Sequence, residues 1–145
     1  MREIEDLRHK SMKALMKMVI AGTLFVRPSV SGQSLKSFAA QMFAWLGIQQ
    51  FEEDVTGRDG EYLVFIGSAA GITVVIEENV RKLQDLEKYP FKISLAAQGT
   101  RQAADYLIQH AHMLAWQLSH EGYRCFVPKD VLPVHSEQDG MVYDS

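Results

Sequence analysis

The 145-residue chain contains a single cysteine, Cys125, and this scarcity excludes two kinds of scaffold. One cysteine can form neither an internal disulfide framework nor a multi-cysteine zinc site, so apolar packing must hold the core. A chain of this length buries roughly two thirds of its unfolded surface, which is enough for that purpose. A lone thiol also fits a reducing compartment, and we expect a cytoplasmic protein.

The chain also lacks an excess of basic residues. Lys and Arg total 15 against 18 Asp and Glu, which gives a net charge of −3 and a pI near 5.9. Broad, nonspecific binding of nucleic acid requires a basic face. The composition therefore argues against nucleic acid as the partner.

No long apolar run lies near the N-terminus. The longest stretch there, residues 18–26, has nine residues, whereas a membrane-spanning helix needs about 20. Glu3, Glu5 and Asp6 occupy the region in which a signal peptide would be basic. We expect no association with a membrane and interpret residues 18–26 as part of the fold.

Two segments have the apolar spacing of amphipathic helices. Apolar residues recur at i, i+3, i+4 and i+7 through residues 35–46, with Ser34 placed to cap the helix and Gly47 to end it. The pattern is strongest in residues 101–120, and Gly122 follows. A third helix is predicted over residues 4–21, where three lysines lie on one face, and we expect it at an edge of the sheet.

The remaining periodicity is that of β-strands. The connections between the central segments are short, which predicts hairpins and an antiparallel sheet. We therefore expect one α+β domain over residues 1–128, with about five strands and the two amphipathic helices on one face. Residues 129–145 hold four acidic residues and one basic residue with little periodicity, so we expect an acidic tail that is mobile or draped over the surface. The strand-like segments are 23–27, 48–56, 61–67, 72–77, 91–97 and 123–127.

No catalytic, cofactor or metal motif stands out. His110 and His112 point to different sides of their helix, so one metal ion cannot bridge them easily. Cys125 lies among apolar residues of a strand, where burial is the usual state. The glycines form neither a Walker-type nor a dinucleotide-type loop. We expect a protein that is not an enzyme and that carries no cofactor and no metal.

An acidic cluster is the main charge feature. Between residues 50 and 62, five acidic residues stand against one basic residue, for a local charge of −4. Paired carboxylates can perform acid–base chemistry or hold a cation. They can also guard a strand edge against aggregation, or form a docking surface for a basic protein. The cluster consists of Glu52, Glu53, Asp54, Asp59 and Glu61.

The order of motifs over residues 48–127 resembles a group of small bacterial proteins. These are the immunity proteins of polymorphic toxin and contact-dependent growth-inhibition systems. Their pattern has an acidic strand, an aromatic strand ending in glycine, a turn into a β-branched strand, and a further aromatic strand before an alanine-rich helix. The matching segments are Glu52-Glu53-Asp54, Gly60-Glu61-Tyr62, residues 67–74, residues 89–95 and the helix that ends before Gly122.

The resemblance implies a protein that catalyses nothing. Such a protein binds one toxin domain and occludes its active site. Toxin domains that cut nucleic acid are usually basic, so an acidic surface would speed and select their binding. We expect the acidic cluster to provide the contacts, with Tyr62 and Trp116 as aromatic anchors. Whether the chain is a monomer or a homodimer is left open.

Two other functions fit the same sequence. One is a small-molecule-binding or regulatory module with a pocket between sheet and helices, ringed by Tyr106, His110 and Met113. The other is a dimeric adaptor or secretion chaperone, for which a large exposed apolar patch would be the sign.

Overall fold

The protein is built around one antiparallel sheet. The computed structural model describes residues 18–57, 59–80, 84–99, 101–129 and 136–144. These residues form seven strands and two α-helices, together with two short 3₁₀ turns at Gln84–Lys88 and Glu137–Asp139. The strands are β1 (Val19–Arg27), β2 (Phe51–Thr56), β3 (Tyr62–Ala69), β4 (Ile72–Glu78), β5 (Phe91–Ala97), β6 (Arg124–Pro128) and β7 (Gly140–Tyr143), and the helices are α1 (Leu35–Trp45) and α2 (Arg101–His120).

The strands lie in the order β2-β3-β4-β5-β1-β6-β7, and every neighbouring pair is antiparallel. The predicted α+β class and antiparallel sheet are therefore confirmed. The predicted number of about five strands is wrong, because the described residues form seven. β2 and β7 are the two edges of the sheet, and β1 lies between β5 and β6.

Both described helices begin and end where the sequence predicts. The Ser34 hydroxyl accepts a hydrogen bond from the Ser37 amide at 3.1 Å, as expected of an N-cap. At the other end of α1, Gly47 has a φ of +76°, and the Ile48 amide donates to the Phe43 carbonyl at 2.8 Å. This is the glycine-terminated helix end that the position of Gly47 predicted.

The main core lies between one face of the sheet and both helices. Apolar side chains of β1, β3, β4, β5 and β6 meet the buried stripes of α1 and α2 in one cluster. The prediction that the two helices share a face is therefore confirmed. The helical members of the cluster include Leu35, Phe38, Ala39, Met42 and Phe43 of α1 and Leu107, Ala111, Leu114, Ala115 and Leu118 of α2.

The opposite face of the sheet carries two smaller apolar clusters. Leu86 and Tyr89, from the segment before β5, pack on Phe25 and Phe126. A second cluster, near the middle of the sheet, contains Val64, Val75 and Ala96, against which Met18 and Ile66 pack. No described helix lies on this face, and we call it the open face.

The first strand corrects the prediction for residues 19–21. These residues were expected to close an N-terminal helix over residues 4–21, but they pair with β5, so β1 begins at Val19 and not at residue 23. A short apolar run in a central strand cannot be distinguished from a buried helix by its periodicity. The rest of the predicted helix, residues 4–17, lies outside the described residues.

The C-terminal segment corrects a second expectation. Gly140–Tyr143 forms β7 and pairs with β6, so a mobile or draped tail does not describe these residues. A capping box at Ser136 precedes the strand, in which the Ser136 hydroxyl accepts from the Gln138 amide and Asp139 accepts from the Ser136 amide. A strand of four residues is too short to show periodicity, and its long-range pairing decides its structure.

Candidate functional site

The acidic cluster lies on the β2–β3 hairpin at an edge of the sheet. Cross-strand partners in the hairpin share a face, and Asp54 lies opposite Val64 while Glu53 lies opposite Phe65. Glu52 and Asp54 therefore lie on the open face, together with Tyr62, and Glu53 lies on the helix side. The structure thus distributes the predicted contact residues over both faces of one hairpin.

The hairpin exposes large apolar side chains beside these acids. Tyr62 is 42% exposed and Leu63 is 47% exposed, and Phe51 is 37% exposed although its ring stacks on Phe43 at 4.6 Å. Glu52, Glu53, Asp59 and Glu61 are exposed as well. Sequence reasoning identified Tyr62 but missed Phe51 and Leu63, because only the pairing shows that β2 is an edge strand with one neighbour.

Three of the exposed carboxylates have no charged partner among the residues that the structure describes. Glu53, Asp59 and Glu61 make no ion pair or hydrogen bond with the residues that the structure describes. By contrast, Glu77 of β4 pairs with Lys92 of β5 at 3.2 Å. We call Phe51, Glu53, Asp59, Glu61, Tyr62 and Leu63 the hairpin surface.

Asp54 differs from the rest of the acidic cluster. It is only 3% exposed, and its Oδ1 accepts a hydrogen bond from the Val55 amide at 2.8 Å. Its Oδ2 is buried and accepts no hydrogen bond from any residue that the structure describes. Asp54 is thus unsuited to a direct contact with a partner, because no surface of its free oxygen is open to one.

Trp116 is separated from the hairpin. It lies on α2, which packs over β1 and β6, whereas the acidic cluster lies on β2 and the loop that follows it. Its side chain is 55% exposed. The structure therefore does not bring Trp116 together with the other predicted contact residues.

The expected apolar pocket around α2 is not found where it was predicted. Tyr106 is 55% exposed and Met113 is 57% exposed, so these side chains stand on the outer surface of the helix. A cleft of about 600 Å³ lies elsewhere, between the loop of residues 28–33 and the segment before β5. Three cationic side chains line it, those of Arg27, Lys88 and Arg124.

A polar network lies beside this cleft and joins three segments. Arg124 of β6 donates to Tyr89, to Glu137 and, at 2.5 Å, to Asp144. Lys88 also pairs with Glu137 at 2.7 Å, and the Tyr89 hydroxyl donates to Glu137 at 2.6 Å. Burial acts to raise the pKa of the Glu137 carboxyl, but the three donors outweigh it and the pKa is lowered.

The side chains of Cys125, Ser68 and His112 have ordinary structural surroundings. Cys125 is fully buried in β6, and burial raises the pKa of its thiol to about 12, which disfavours the reactive thiolate. The Ser68 hydroxyl lies 3.0 Å from that of Thr73 across the β3–β4 hairpin. His112 uses its Nδ1 in a 2.8 Å hydrogen bond with the Tyr143 hydroxyl.

The described residues form neither a metal-binding cluster nor a membrane-spanning helix. Among the described residues, no three His, Cys, Asp or Glu side chains come close enough together to hold a metal ion. In the same part of the chain, neither helix combines the length and the apolar character that crossing a membrane requires.

Comparison with known proteins adds no relative to these observations. No protein-family model, no curated protein and no solved structure matches the chain. The features of this protein that bear on its function are therefore the hairpin surface and the resemblance in sequence.

Proposed function

We propose that this protein is an immunity protein that binds a basic bacterial toxin domain through the hairpin surface. It acts in the cytoplasm and needs no catalytic group or cofactor of its own. The observation that carries the proposal is that one hairpin presents both exposed aromatic and aliphatic side chains and exposed carboxylates that form no ion pair with the described residues. Asp59 and Glu61 lie in the connection that leads into Tyr62 and Leu63, and Glu53 lies on the same face of the hairpin as Leu63.

The two kinds of side chain have different roles in binding. The carboxylates attract a basic partner over a distance of about one Debye length and oppose acidic proteins. The exposed apolar residues supply contact area that is removed from water in the complex, as aromatic anchors do at other interfaces. A toxin domain that covers the hairpin would have its basic substrate path blocked by acidic side chains.

The edge position of β2 suits this role. An edge strand has one free row of backbone hydrogen-bonding groups, and charged side chains keep other strands away from it. The negative charge of the β2 residues therefore has two roles. It protects the free protein from aggregation, and it selects a basic partner.

The test is protection of a susceptible cell. The full chain is expressed together with each of a panel of basic toxin domains from contact-dependent growth-inhibition systems, and survival and complex formation are measured. We expect the wild-type chain to protect, and the Glu53→Lys, Asp59→Lys, Glu61→Lys variant to bind roughly 100-fold more weakly or worse, since like charges across an interface cost several kcal/mol.

A matched variant controls for the change in net charge. Glu78, Glu87 and Glu121 are also exposed and lie outside the hairpin surface, so their replacement by Lys alters the total charge equally. This variant should still protect. Protection that survives the hairpin variant would move the interface elsewhere, and failure of the wild-type chain to bind or protect would contradict the immunity function.

The cleft supports a second candidate function, the binding of a small polar ligand. Its volume of about 600 Å³ lies within the usual range for ligand pockets. Arg27 is exposed at its wall and pairs with no acidic residue that the structure describes, so it is available to an anionic group. A thermal-shift screen of anionic metabolites tests this candidate, and a stabilising ligand should lose its effect in Arg27→Ala.

A further inference from the structure

The outward face of α2 is unusually apolar for a helix on the protein surface. Tyr106, Met113 and Trp116 are each more than half exposed, and they succeed one another at helical spacings of seven and three residues. Two histidine rings extend the stripe, since His110 lies 5.3 Å from Tyr106 and His120 lies 4.5 Å from Trp116, measured between ring centroids. We call these five residues the α2 stripe.

Charge is almost absent from this helix. Asp105 is the only Asp, Glu, Lys or Arg between residues 102 and 120. The solvent-facing side of a surface helix normally carries charged and polar residues, because these interact favourably with water. Exposed Tyr, Trp and Met without charge are instead the composition that protein interfaces favour.

We propose that the α2 stripe is the interface of a homodimer, in which α2 packs antiparallel against α2 of a second copy. The proposal does not depend on the toxin-binding function. The near-absence of charge favours a second copy over a basic partner. Two copies of a protein with net charge −3 repel each other, and this repulsion is weakest where the contacting faces carry almost no charge.

The spacing of the stripe also fits a two-fold axis. Tyr106 and Trp116 lie five residues before and five residues after residue 111, near the middle of Arg101–His120. In an antiparallel pair centred there, Tyr106 of each copy lies beside Trp116 of the other. A two-fold interface requires this kind of reciprocal contact, in which the same patch serves both partners.

The available area is sufficient for a weak dimer. A large side chain offers roughly 200 Å² when fully exposed, so Tyr106, Met113 and Trp116 contribute about 300 Å² per copy. Exposed polar neighbours on the same face raise this to roughly 600 Å², which gives the ~1,200 Å² total at which specific interfaces begin. Those neighbours are Gln102, Asp105, Gln109 and Gln117, together with His120 of the stripe itself.

The experiment is sedimentation velocity of the full chain over a series of protein concentrations. We expect a reversible monomer–dimer equilibrium with a dissociation constant in the micromolar range. Met113→Glu and Trp116→Glu should each weaken the dimer at least about tenfold, a change that the concentration series resolves. Circular dichroism checks that the helices remain, as expected for substitutions at exposed positions.

Trp45→Glu is the matched control. Trp45 is 40% exposed on α1, so the same substitution is made outside the α2 stripe. The Trp45→Glu variant should have the same dimer dissociation constant as the wild type. A wild-type chain that stays monomeric at every concentration overturns the proposal, as does a dimer that tolerates Trp116→Glu or that Trp45→Glu weakens equally.

Cross-linking tests the antiparallel arrangement. Cys125 is fully buried and does not compete for a short thiol-specific linker, so a single new cysteine can be placed on the stripe. A mixture of Tyr106→Cys and Trp116→Cys copies should cross-link more efficiently than either variant alone. Equal or lower efficiency in the mixture would contradict the pairing of Tyr106 with Trp116.

Discussion

Gly22 shows how one residue sets the distance between the sheet and α2. It has a φ of +75° and lies at a bulge in β1, and a Cβ added to it would collide with the backbone carbonyl of Leu107. Only glycine satisfies both conditions, since other residues disfavour positive φ and would push α2 away. The small size of this residue therefore permits the close packing of α2 on β1.

Gly22→Ala should lower the free energy of unfolding by about 3 kcal/mol or more, because strain and a backbone clash add together. Urea denaturation measures the change. Gly32→Ala is the control, since Gly32 also has a positive φ, of +84°, but a Cβ there meets no atom within 4 Å. It should lose only about 1 kcal/mol. Equal losses in the two variants would show that the contact with Leu107 is unimportant.

Asp54 is a buried carboxylate with one oxygen that has no hydrogen-bond donor among the described residues. Its buried Oδ2 has no hydrogen-bond donor among the described residues, and an unsatisfied buried polar atom is unfavourable. Asp54→Asn keeps the acceptor for the Val55 amide and removes the carboxylate. We expect the variant to be more stable by about 1 kcal/mol, as measured by denaturant unfolding.

Glu53→Gln provides the comparison for Asp54. The same chemical change is made at the neighbouring exposed position, where we expect a difference within about 0.5 kcal/mol. A variant Asp54→Asn that is less stable than the wild type would contradict the view that the unpaired Oδ2 destabilises the native protein.

Among the elements, β7 is too short to be stabilised by its backbone pairing alone, and side-chain contacts of the segment before it add to its stability. The strand has four residues, but Glu137 just before it binds Lys88, Tyr89 and Arg124. These contacts join the C-terminal segment to the segment before β5 and to β6. The network therefore couples the sheet edge to the cleft.

The Glu137 network predicts a loss of stability in acid. The folded pKa of Glu137 is lowered from its usual 4.5, so its contribution is present above about pH 4.5 and is lost as the pH falls through the folded value. Glu137→Gln should reduce the free energy of unfolding by about 2 kcal/mol at neutral pH and show a flatter acid dependence. Denaturant unfolding at a series of pH values measures both effects.

Glu78→Gln is the control for Glu137→Gln. Glu78 is exposed at the end of β4, and its replacement should leave the acid dependence of the wild type unchanged. A wild-type pH profile that Glu137→Gln does not flatten would mean that another carboxylate causes the acid sensitivity.

At the scale of the whole molecule, the two proposed interfaces lie on different elements and differ in charge. The hairpin surface lies at the β2 edge, and the α2 stripe lies over β1 and β6. A dimer through α2 thus leaves both hairpins free, so the complex should contain two toxin domains per dimer.

Salt should distinguish the two interfaces. Association of a basic partner with the hairpin surface should slow markedly as ionic strength rises, because added salt screens the attraction. The dissociation constant of the dimer should change little with salt, because Asp105 is the only Asp, Glu, Lys or Arg between residues 102 and 120 of α2. Stopped-flow association and sedimentation at matched salt concentrations measure the two effects. A salt-insensitive association rate would contradict electrostatic attraction at the hairpin.

The elements whose signals are local can be predicted from the amino-acid sequence alone. Ser34 and Gly47 mark the ends of α1, and the apolar spacing of residues 101–120 identifies both α2 and its buried face. Caps and helical spacing act over a few residues, so the local sequence is sufficient to specify them. The same is true of the β2–β3 and β3–β4 hairpins, whose connecting turns are short.

Features that depend on distant partners arise only when the chain folds. Val19 joins a strand because it meets Ala97, and β7 exists because Met141 meets Val127. The fold also determines that Asp54 lies on the open face and is buried, and the packing of α2 on the sheet leaves Trp116 exposed. Burial and strand pairing depend on residues far apart in the chain, and local propensity carries no information about them.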